Sequence, residues 1–136
     1  AISAVSSDGR LIFNLRRGIF KSQEIINFLA QMLKHHPRRH VVVIMDQAKP
    51  HVSKMTKAFV ASQKRLHVFY LPSRSPELNP DEKIWNHLKN QELKSHQATN
   101  LTDLEKLTRN KLHKMSKNPA LLRGIFLRSD IAKYMN

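Results

Sequence analysis

Asp46 stands where a carboxylate could do chemistry. It directly follows Val41–Met45, a run of five apolar and mostly β-branched residues, which predicts a strand. In α/β proteins, ligands bind at the sheet edge where such strands end. A lone Asp at this place is more often the cap of a turn. Here an amide, a lysine and a histidine follow within five positions, as Gln47, Lys49 and His51, and this company favours a site.

Glu82 is the second candidate. Asn79 predicts a helix cap, Pro80 the first helical residue and Glu82 the third. Asn79-x-x-Glu82 is also the pattern of a capping box, which is a sufficient structural reason for the acid. The stretch that surrounds it, from Leu71 to Trp85, reads LPSRSPELNPDEKIW. That stretch is too particular for generic loop chemistry and favours a functional role for Glu82.

The two blocks together resemble the mariner-like superfamily of DDE transposases, and its bacterial insertion-sequence branch most closely. The first block reads strand-Asp-amide-Ala-x-x-His, and the second Leu-Pro-x-x-Ser-Pro-x-Leu-Asn-Pro-x-Glu-x-x-Trp. Thirty-five residues lie between Asp46 and Glu82, as the superfamily leads us to expect. The resemblance covers residues 1–95 and argues against a resolvase or ribonuclease of the same fold.

The resemblance implies a ribonuclease H-like fold and a metal-dependent enzyme. Its five-stranded sheet carries the first acid on the first strand, the second after the fourth strand and the third on a late helix. By motif match, Asp46 is the second acid and Glu82 the third. Such sites hold two Mg²⁺ or Mn²⁺ ions and perform DNA strand cleavage and strand transfer. The implied function is DNA transposition, in the nucleoid of a bacterial cytoplasm.

Two departures from the family favour an alternative. The first acid would lie on a strand upstream of Ala1, and Asp8 falls in a predicted turn, so it is no substitute. Gln47 stands where the family usually has Asn. The chain also opens inside an apolar alternating run, which predicts a fragment of a longer protein. The alternative is a catalytically inactive, transposase-derived fragment that binds DNA or a partner.

The charge indicates the partner. Lys and Arg number 24 against 10 Asp and Glu, for a net charge of +14, and such an excess favours nucleic acid through counterion release. No apolar run is long enough to span a membrane. The resemblance leaves open whether the chain forms a homodimer.

The candidate DNA-binding residues are Lys49, His51, Arg74 and Lys83. Plain solvation is the alternative for the cations, and a hydrogen bond near a helix start is the alternative for His51.

The apolar periodicity predicts the elements that must position these residues. Residues 1–20 predict a β-hairpin whose turn contains Gly9. Ser22 predicts a helix cap, and Pro37 the end of that helix. Val41–Met45 predicts a parallel, central strand buried on both faces. The pair His35-His36 lacks carboxylate or thiolate company and predicts a helix end, not a metal site.

The remainder of the chain predicts one further strand and several helices. The predictions are a helix from about Ser53 with Met55, Phe59 and Val60 inward, a short buried strand over Leu66–Leu71, a loop over 72–76, a helix from Asn79, and helices over 101–115 and 119–128. This order is α/β. We expect a single catalytic domain over 1–136, with its motif-bearing core in 1–95 and its terminal helices in 96–136.

The resemblance implies that the family's first strand lies beside Val41–Met45. Because that strand is expected upstream of Ala1, Val41–Met45 would lack one of its neighbours in this chain. Unpaired buried backbone groups cost about 1–3 kcal/mol each. We expect one of three outcomes: the opening hairpin pairs with Val41–Met45, a strand of another chain fills the gap, or the isolated chain is poorly stable. In each, the metal site lacks its first carboxylate, and this chain alone should not perform strand transfer.

Overall fold

The computed structural model describes residues 2–15, 18–93 and 98–129. Its helices and strands are mixed along the chain, which confirms the α/β class. The chain divides into two compact units, here called the hairpin unit (Ala1–Arg16 with Glu77–Asn136) and the strand-pair unit (Arg17–Pro76). In the described part of the chain, no helix is long and apolar enough to cross a membrane.

The described residues of the hairpin unit form an antiparallel hairpin and three helices. The elements are β1 (Ile2–Val5), β2 (Leu11–Asn14), α4 (Pro80–His87), a π-helical turn (Leu88–Glu92), α5 (Leu101–Ser116) and α6 (Pro119–Leu127). The register runs from Ile2 opposite Asn14 to Val5 opposite Leu11. Side chains from β2 and all three helices form one core: Leu11, Ile84, Leu88, Leu112, Met115, Leu122 and Ile125. The predicted hairpin and terminal helices are therefore confirmed.

The hairpin turn comes very close to the start of α6. Gly9 has φ +87°, a left-handed conformation that side chains with a Cβ rarely adopt. A Cβ placed on Gly9 would lie 2.6 Å from the Pro119 carbonyl oxygen. The turn therefore requires glycine both for its backbone conformation and for its packing.

The strand-pair unit packs helices against two parallel strands. Its elements are α1 (Ser22–His35), β3 (Val41–Met45), α2 (Lys49–Val52), α3 (Lys54–Ser62) and β4 (Leu66–Tyr70). The parallel register runs from Val41 opposite Leu66 to Met45 opposite Tyr70, which confirms the predicted strands and the predicted parallel pairing. Helix α1 begins at Ser22 itself, one residue earlier than a Ser22 cap would require. The short helix α2 was not predicted.

The prediction that β3 is a central strand buried on both faces is wrong. Among the described residues it pairs with β4 alone. Val42 is 61% exposed, and Phe69 on β4 is also 61% exposed. Side chains alternate along a strand, so Val42 lies on the opposite face from the buried Met45. The buried positions of the pair are on one face only, because the helices of this unit cover that face. Phe69, predicted as part of a buried strand, is open to solvent for the same reason.

The predicted inward face of α3 is also partly wrong. Met55 is 49% exposed, whereas Thr56 beside it is fully buried. The helix was predicted from about Ser53; Ser53 caps it, and its Oγ accepts a hydrogen bond from the Thr56 N–H at 3.2 Å. The Thr56 hydroxyl donates to the Pro50 carbonyl at 2.6 Å. These bonds fix the rotation of α3, turning Thr56 inward and Met55 outward.

The carboxyl end of α1 is held by one arginine. The Arg65 guanidinium donates to the carbonyls of Arg39 at 2.7 Å and Leu33 at 3.3 Å, and also to that of His36. The last carbonyls of a helix have no intrahelical partners, and a cation at this end also interacts favourably with the helix dipole. The predicted helix end at His35-His36 is confirmed.

Within residues 2–15, 18–93 and 98–129, the strands form two two-stranded sheets, β1 with β2 and β3 with β4. Direct pairing of the opening hairpin with Val41–Met45, the first of the three outcomes considered above, is therefore not what the structure shows. The ribonuclease H-like arrangement stays a prediction, as does the single domain over 1–136.

We expect Gly9→Ala to lower the free energy of unfolding by about 2 kcal/mol or more, from the left-handed backbone and the contact with Pro119. Urea unfolding would measure this. Gly18→Ala is the matched control, because Gly18 also has a positive φ, +92°, but nothing lies within 4 Å of its added Cβ. Equal losses in the two variants would show that the approach to α6 contributes nothing.

Candidate active site

The turn after β3 orients the Asp46 carboxylate through one of its two oxygens. Oδ1 accepts the Ala48 N–H at 2.9 Å, and the Nδ1 atom of His51 lies 2.7 Å from the same oxygen. The Asp46 side chain is 51% exposed, and its Oδ2 atom has no partner among the described residues. The turn-cap role of Asp46 is therefore real, but it occupies only Oδ1.

The unpredicted helix α2 carries His51 and is anchored to β4. Tyr70, the last residue of β4, donates its hydroxyl proton to the His51 carbonyl at 2.9 Å. Burial raises the pKa of Tyr70 above its usual value of 10.0, because the phenolate would lose hydration. Tyr70 therefore stays protonated and remains a donor throughout the neutral range. The backbone of His51 is thus fixed by a contact that does not involve its ring.

Gln47 uses its longer side chain to join the ends of the two strands. Its Nε2 atom donates to the Leu71 carbonyl at 2.9 Å, and the Leu71 N–H donates to the Met45 carbonyl at 2.9 Å. Both bonds lie where β3 and β4 end. The extra methylene of Gln47, relative to the Asn usual in the family it resembles, lets the amide reach the neighbouring strand's exit.

Glu82 lies in the first turn of α4 and is exposed. Asn79 caps the helix as predicted, but its Oδ1 atom accepts the Asp81 N–H at 3.0 Å. The Glu82 carboxylate makes no hydrogen bond or ion pair with any described residue. The capping-box explanation for Glu82 is therefore wrong, and its carboxylate is available to a ligand.

Asp81, the neighbour of Glu82, has a structural role instead. The Ser3 hydroxyl lies 2.8 Å from each of the two Asp81 carboxylate oxygens. The Trp85 indole N–H donates to the Ser3 Oγ at 2.8 Å. These contacts link β1 to the first two turns of α4 and set the rotation of the helix. Trp85 also packs against the core of the hairpin unit, which agrees with its prediction as a core residue.

The predicted DNA-binding residues lie on different elements. Lys49 is the first residue of α2 and is exposed, and Lys83 follows Glu82 on α4 and is half-buried. Arg74 is exposed in the loop after β4, with φ +58°. The ring of His51 contacts Asp46 through Nδ1, which leaves Nε2 without a described partner. The roles of these residues in DNA binding stay predictions.

Sequence reasoning missed Ser3 and Tyr70. Tyr70 had a usable signal, because parallel pairing of Val41–Met45 with Leu66–Leu71 places the two strand ends at one edge. Ser3 had none, because its contact with Asp81 spans 78 positions of sequence. A small hydroxyl in a short strand carries no pattern that would identify its partner.

The chemistry of the two carboxylates fits a hard divalent cation. Asp46 offers Oδ2, and Glu82 offers its whole carboxylate. Oxygen donors of this kind suit Mg²⁺ and Mn²⁺. Among residues 2–15, 18–93 and 98–129, no three His, Asp or Glu side chains form a metal-binding group. A metal site shared by Asp46 and Glu82, which the resemblance implies, stays a prediction.

Comparison with known proteins defines the family. The chain belongs to the DDE superfamily endonucleases, whose family it matches over residues 1–105. This confirms the DDE transposase-type resemblance; the mariner-like branch stays a prediction. Over 50 residues the chain is 40% identical to the uncharacterized protein y4pE/y4sA of Sinorhizobium fredii, a stretch that covers 37% of this chain and 34% of that protein. The chain thus spans about a third of the length of this curated relative.

We expect Ser3→Ala to lower the free energy of unfolding by roughly 1–3 kcal/mol, because it removes the acceptor of a partly buried indole N–H and a donor to Asp81. Urea unfolding would measure the loss. Ser7→Ala is the control, since Ser7 is an exposed serine of the same hairpin. A double-mutant cycle with Trp85→Phe should give a coupling energy of about 0.5 kcal/mol or more. Additive effects would contradict the network.

Proposed function

We propose that this chain supplies the second and third metal-binding acids, Asp46 and Glu82, of a DDE transposase that cleaves DNA and joins the freed strand to a target. The observation that carries the proposal is the family match over residues 1–105, which includes both acids. The state of each carboxylate supports it, because each has at least one oxygen without a described partner.

The difference between engaged and unengaged carboxylate groups also supports the proposal. Asp81 is engaged by Ser3, whereas Glu82 is not engaged by any described residue. Ala48 and His51 occupy Oδ1 of Asp46 and leave Oδ2 for a ligand. A bound Mg²⁺ or Mn²⁺ pair would supply the activation of a water or 3′-hydroxyl and the stabilisation of the leaving oxygen. The chain's own contribution is to hold the two carboxylates in place.

DNA is the proposed substrate, as transposon end and as target. The net charge of +14 supports this independently of the carboxylates. Lys49 and Arg74 are exposed and close in sequence to Asp46 and to the start of α4, so they are our candidates for phosphate contacts, with Lys83 and the free Nε2 of His51. A chain that binds DNA without catalysis is the second candidate, and the charge favours it equally.

We expect sequence-tolerant binding to duplex DNA that weakens steeply with salt. Each phosphate contact should add about −0.9 to the slope of log affinity against log salt concentration. Lys49→Gln and Arg74→Gln should each reduce the slope by about one unit if that residue contacts a phosphate. Fluorescence anisotropy across a salt series measures the slope. Binding that does not change with salt would rule out a phosphate-based interface.

Metal binding separates the two candidate functions. We expect Asp46→Asn and Glu82→Gln each to weaken Mn²⁺ binding by roughly 10-fold or more, since each removes a charged ligand. If one metal cluster uses both carboxylates, the double variant should lose little more than the weaker-binding single variant. Electron paramagnetic resonance of free Mn²⁺ would measure the affinities. Unchanged Mn²⁺ affinity in both variants, with intact DNA binding, would favour the non-catalytic candidate.

A joining assay with Mn²⁺ and a pre-cleaved transposon end tests the catalytic part. From this chain alone we expect no joining, because the resemblance implies three acids and the motif match assigns two of them here, Asp46 and Glu82. Metal-dependent joining that disappears in Asp46→Ala would show that another group takes the place of the first acid.

A further inference from the structure

We propose that His51 is a positioning residue for Asp46. Its Nδ1–H holds Oδ1 of the carboxylate, so that Oδ2 is the oxygen presented to a divalent cation. The inference rests on the proposed function, in which Asp46 is a metal ligand. It assigns to this chain's own histidine a task that is separate from any contact with DNA.

The hydrogen bonds around Asp46 distinguish its two oxygens. His51 Nδ1 lies 2.7 Å from Oδ1, and the Ala48 N–H donates to the same oxygen at 2.9 Å. Rotation of the carboxylate plane away from Ala48 and His51 would lengthen both contacts. Oδ2 has no described partner. The carboxylate is therefore held in one orientation before any ligand arrives, which is the arrangement that outer-shell histidines and carboxylates give to metal sites.

His51 is itself anchored through its backbone. Tyr70 donates to the His51 carbonyl at 2.9 Å, and Thr56 donates to the carbonyl of the preceding Pro50 at 2.6 Å. Nδ1 also lies 3.2 Å from the Asp46 carbonyl oxygen, which keeps the ring over the turn. The side chain is only 21% exposed. Because these anchors come from β4 and α3, the ring is placed without help from a metal or from DNA.

The two ring nitrogens correspond to two different roles. Donation from Nδ1 to the carboxylate assigns the proton to Nδ1 when the ring is neutral. Nε2 has no described partner and is the atom that would face DNA or another ligand. Positioning therefore depends on Nδ1, and a direct contact would depend on Nε2.

Two amide substitutions separate these roles. The Asn side-chain nitrogen is as many bonds from the backbone as Nδ1, and the Gln nitrogen as many as Nε2. His51→Asn therefore keeps a donor for Asp46, whereas His51→Gln keeps one at the outer position. His51→Ala removes both, and His67→Ala is the control, since His67 is an exposed histidine of β4 whose ring bonds His40.

The experiment measures Mn²⁺ affinity of the whole chain by electron paramagnetic resonance, with circular dichroism to confirm folding. We expect His51→Ala to weaken binding by roughly 10- to 100-fold, the usual effect of losing an outer-shell partner. His51→Asn should recover most of that loss, and His51→Gln should not. His67→Ala should leave the affinity unchanged.

Three results would overturn the inference. Recovery by His51→Gln in place of His51→Asn would assign the role to Nε2. Wild-type affinity in His51→Ala, while Asp46→Asn still weakens binding, would show that Asp46 needs no positioning and would leave the proposed function intact. Wild-type affinity in both His51→Ala and Asp46→Asn would overturn the proposed function together with this inference.

Discussion

The parallel pairing of β3 with β4 is the constraint on which the surroundings of Asp46 depend. In a parallel pair both strands end at the same edge, and here Met45 lies opposite Tyr70. The residues that leave the two strands therefore meet. Gln47 bonds the Leu71 carbonyl at 2.9 Å, and Tyr70 bonds the His51 carbonyl at 2.9 Å. A shift of one position in the register would remove both contacts and release the turn that holds Asp46.

In the hairpin unit, a smaller set of hydrogen bonds fixes the orientation of α4. Ser3 accepts from Trp85 and lies within hydrogen-bond distance of both Asp81 oxygens, so β1 fixes the helix against rotation. A helix rotates its side chains by about 100° per residue. Because of that rotation, two adjacent acids cannot share one environment, and fixing Asp81 against β1 turns Glu82 toward solvent.

The local sequence signals were sufficient to predict the helices and strands, but they were not sufficient to predict which side chains of these elements are buried. The start of a helix near Ser53, the cap at Asn79, the hairpin turn at Gly9 and the strand Val41–Met45 were predictable, because each depends on residues a few positions apart. The exposure of Val42 was not predictable. An apolar residue can lie on either face of a strand, and the sequence does not show which face a helix covers. The role of Ser3 was beyond reach for a similar reason, since its partners Asp81 and Trp85 are distant in sequence.

The excess of cationic side chains makes it informative that the Glu82 carboxylate and Oδ2 of Asp46 form no ion pair with a described residue. With 24 Lys and Arg against 10 Asp and Glu, an exposed carboxylate has many opportunities to form an ion pair. Asp8 and Glu105 do so, with Arg10 at 3.4 Å and Arg109 at 3.7 Å. The carboxylate of Glu82 and Oδ2 of Asp46 have no such partner among the described residues. Lack of a partner does not by itself identify a ligand, because the exposed Glu77 shares it. What separates the two candidates from Glu77 is their local position: one follows a strand with its carboxylate already oriented, and the other occupies the first turn of a helix whose rotation is fixed.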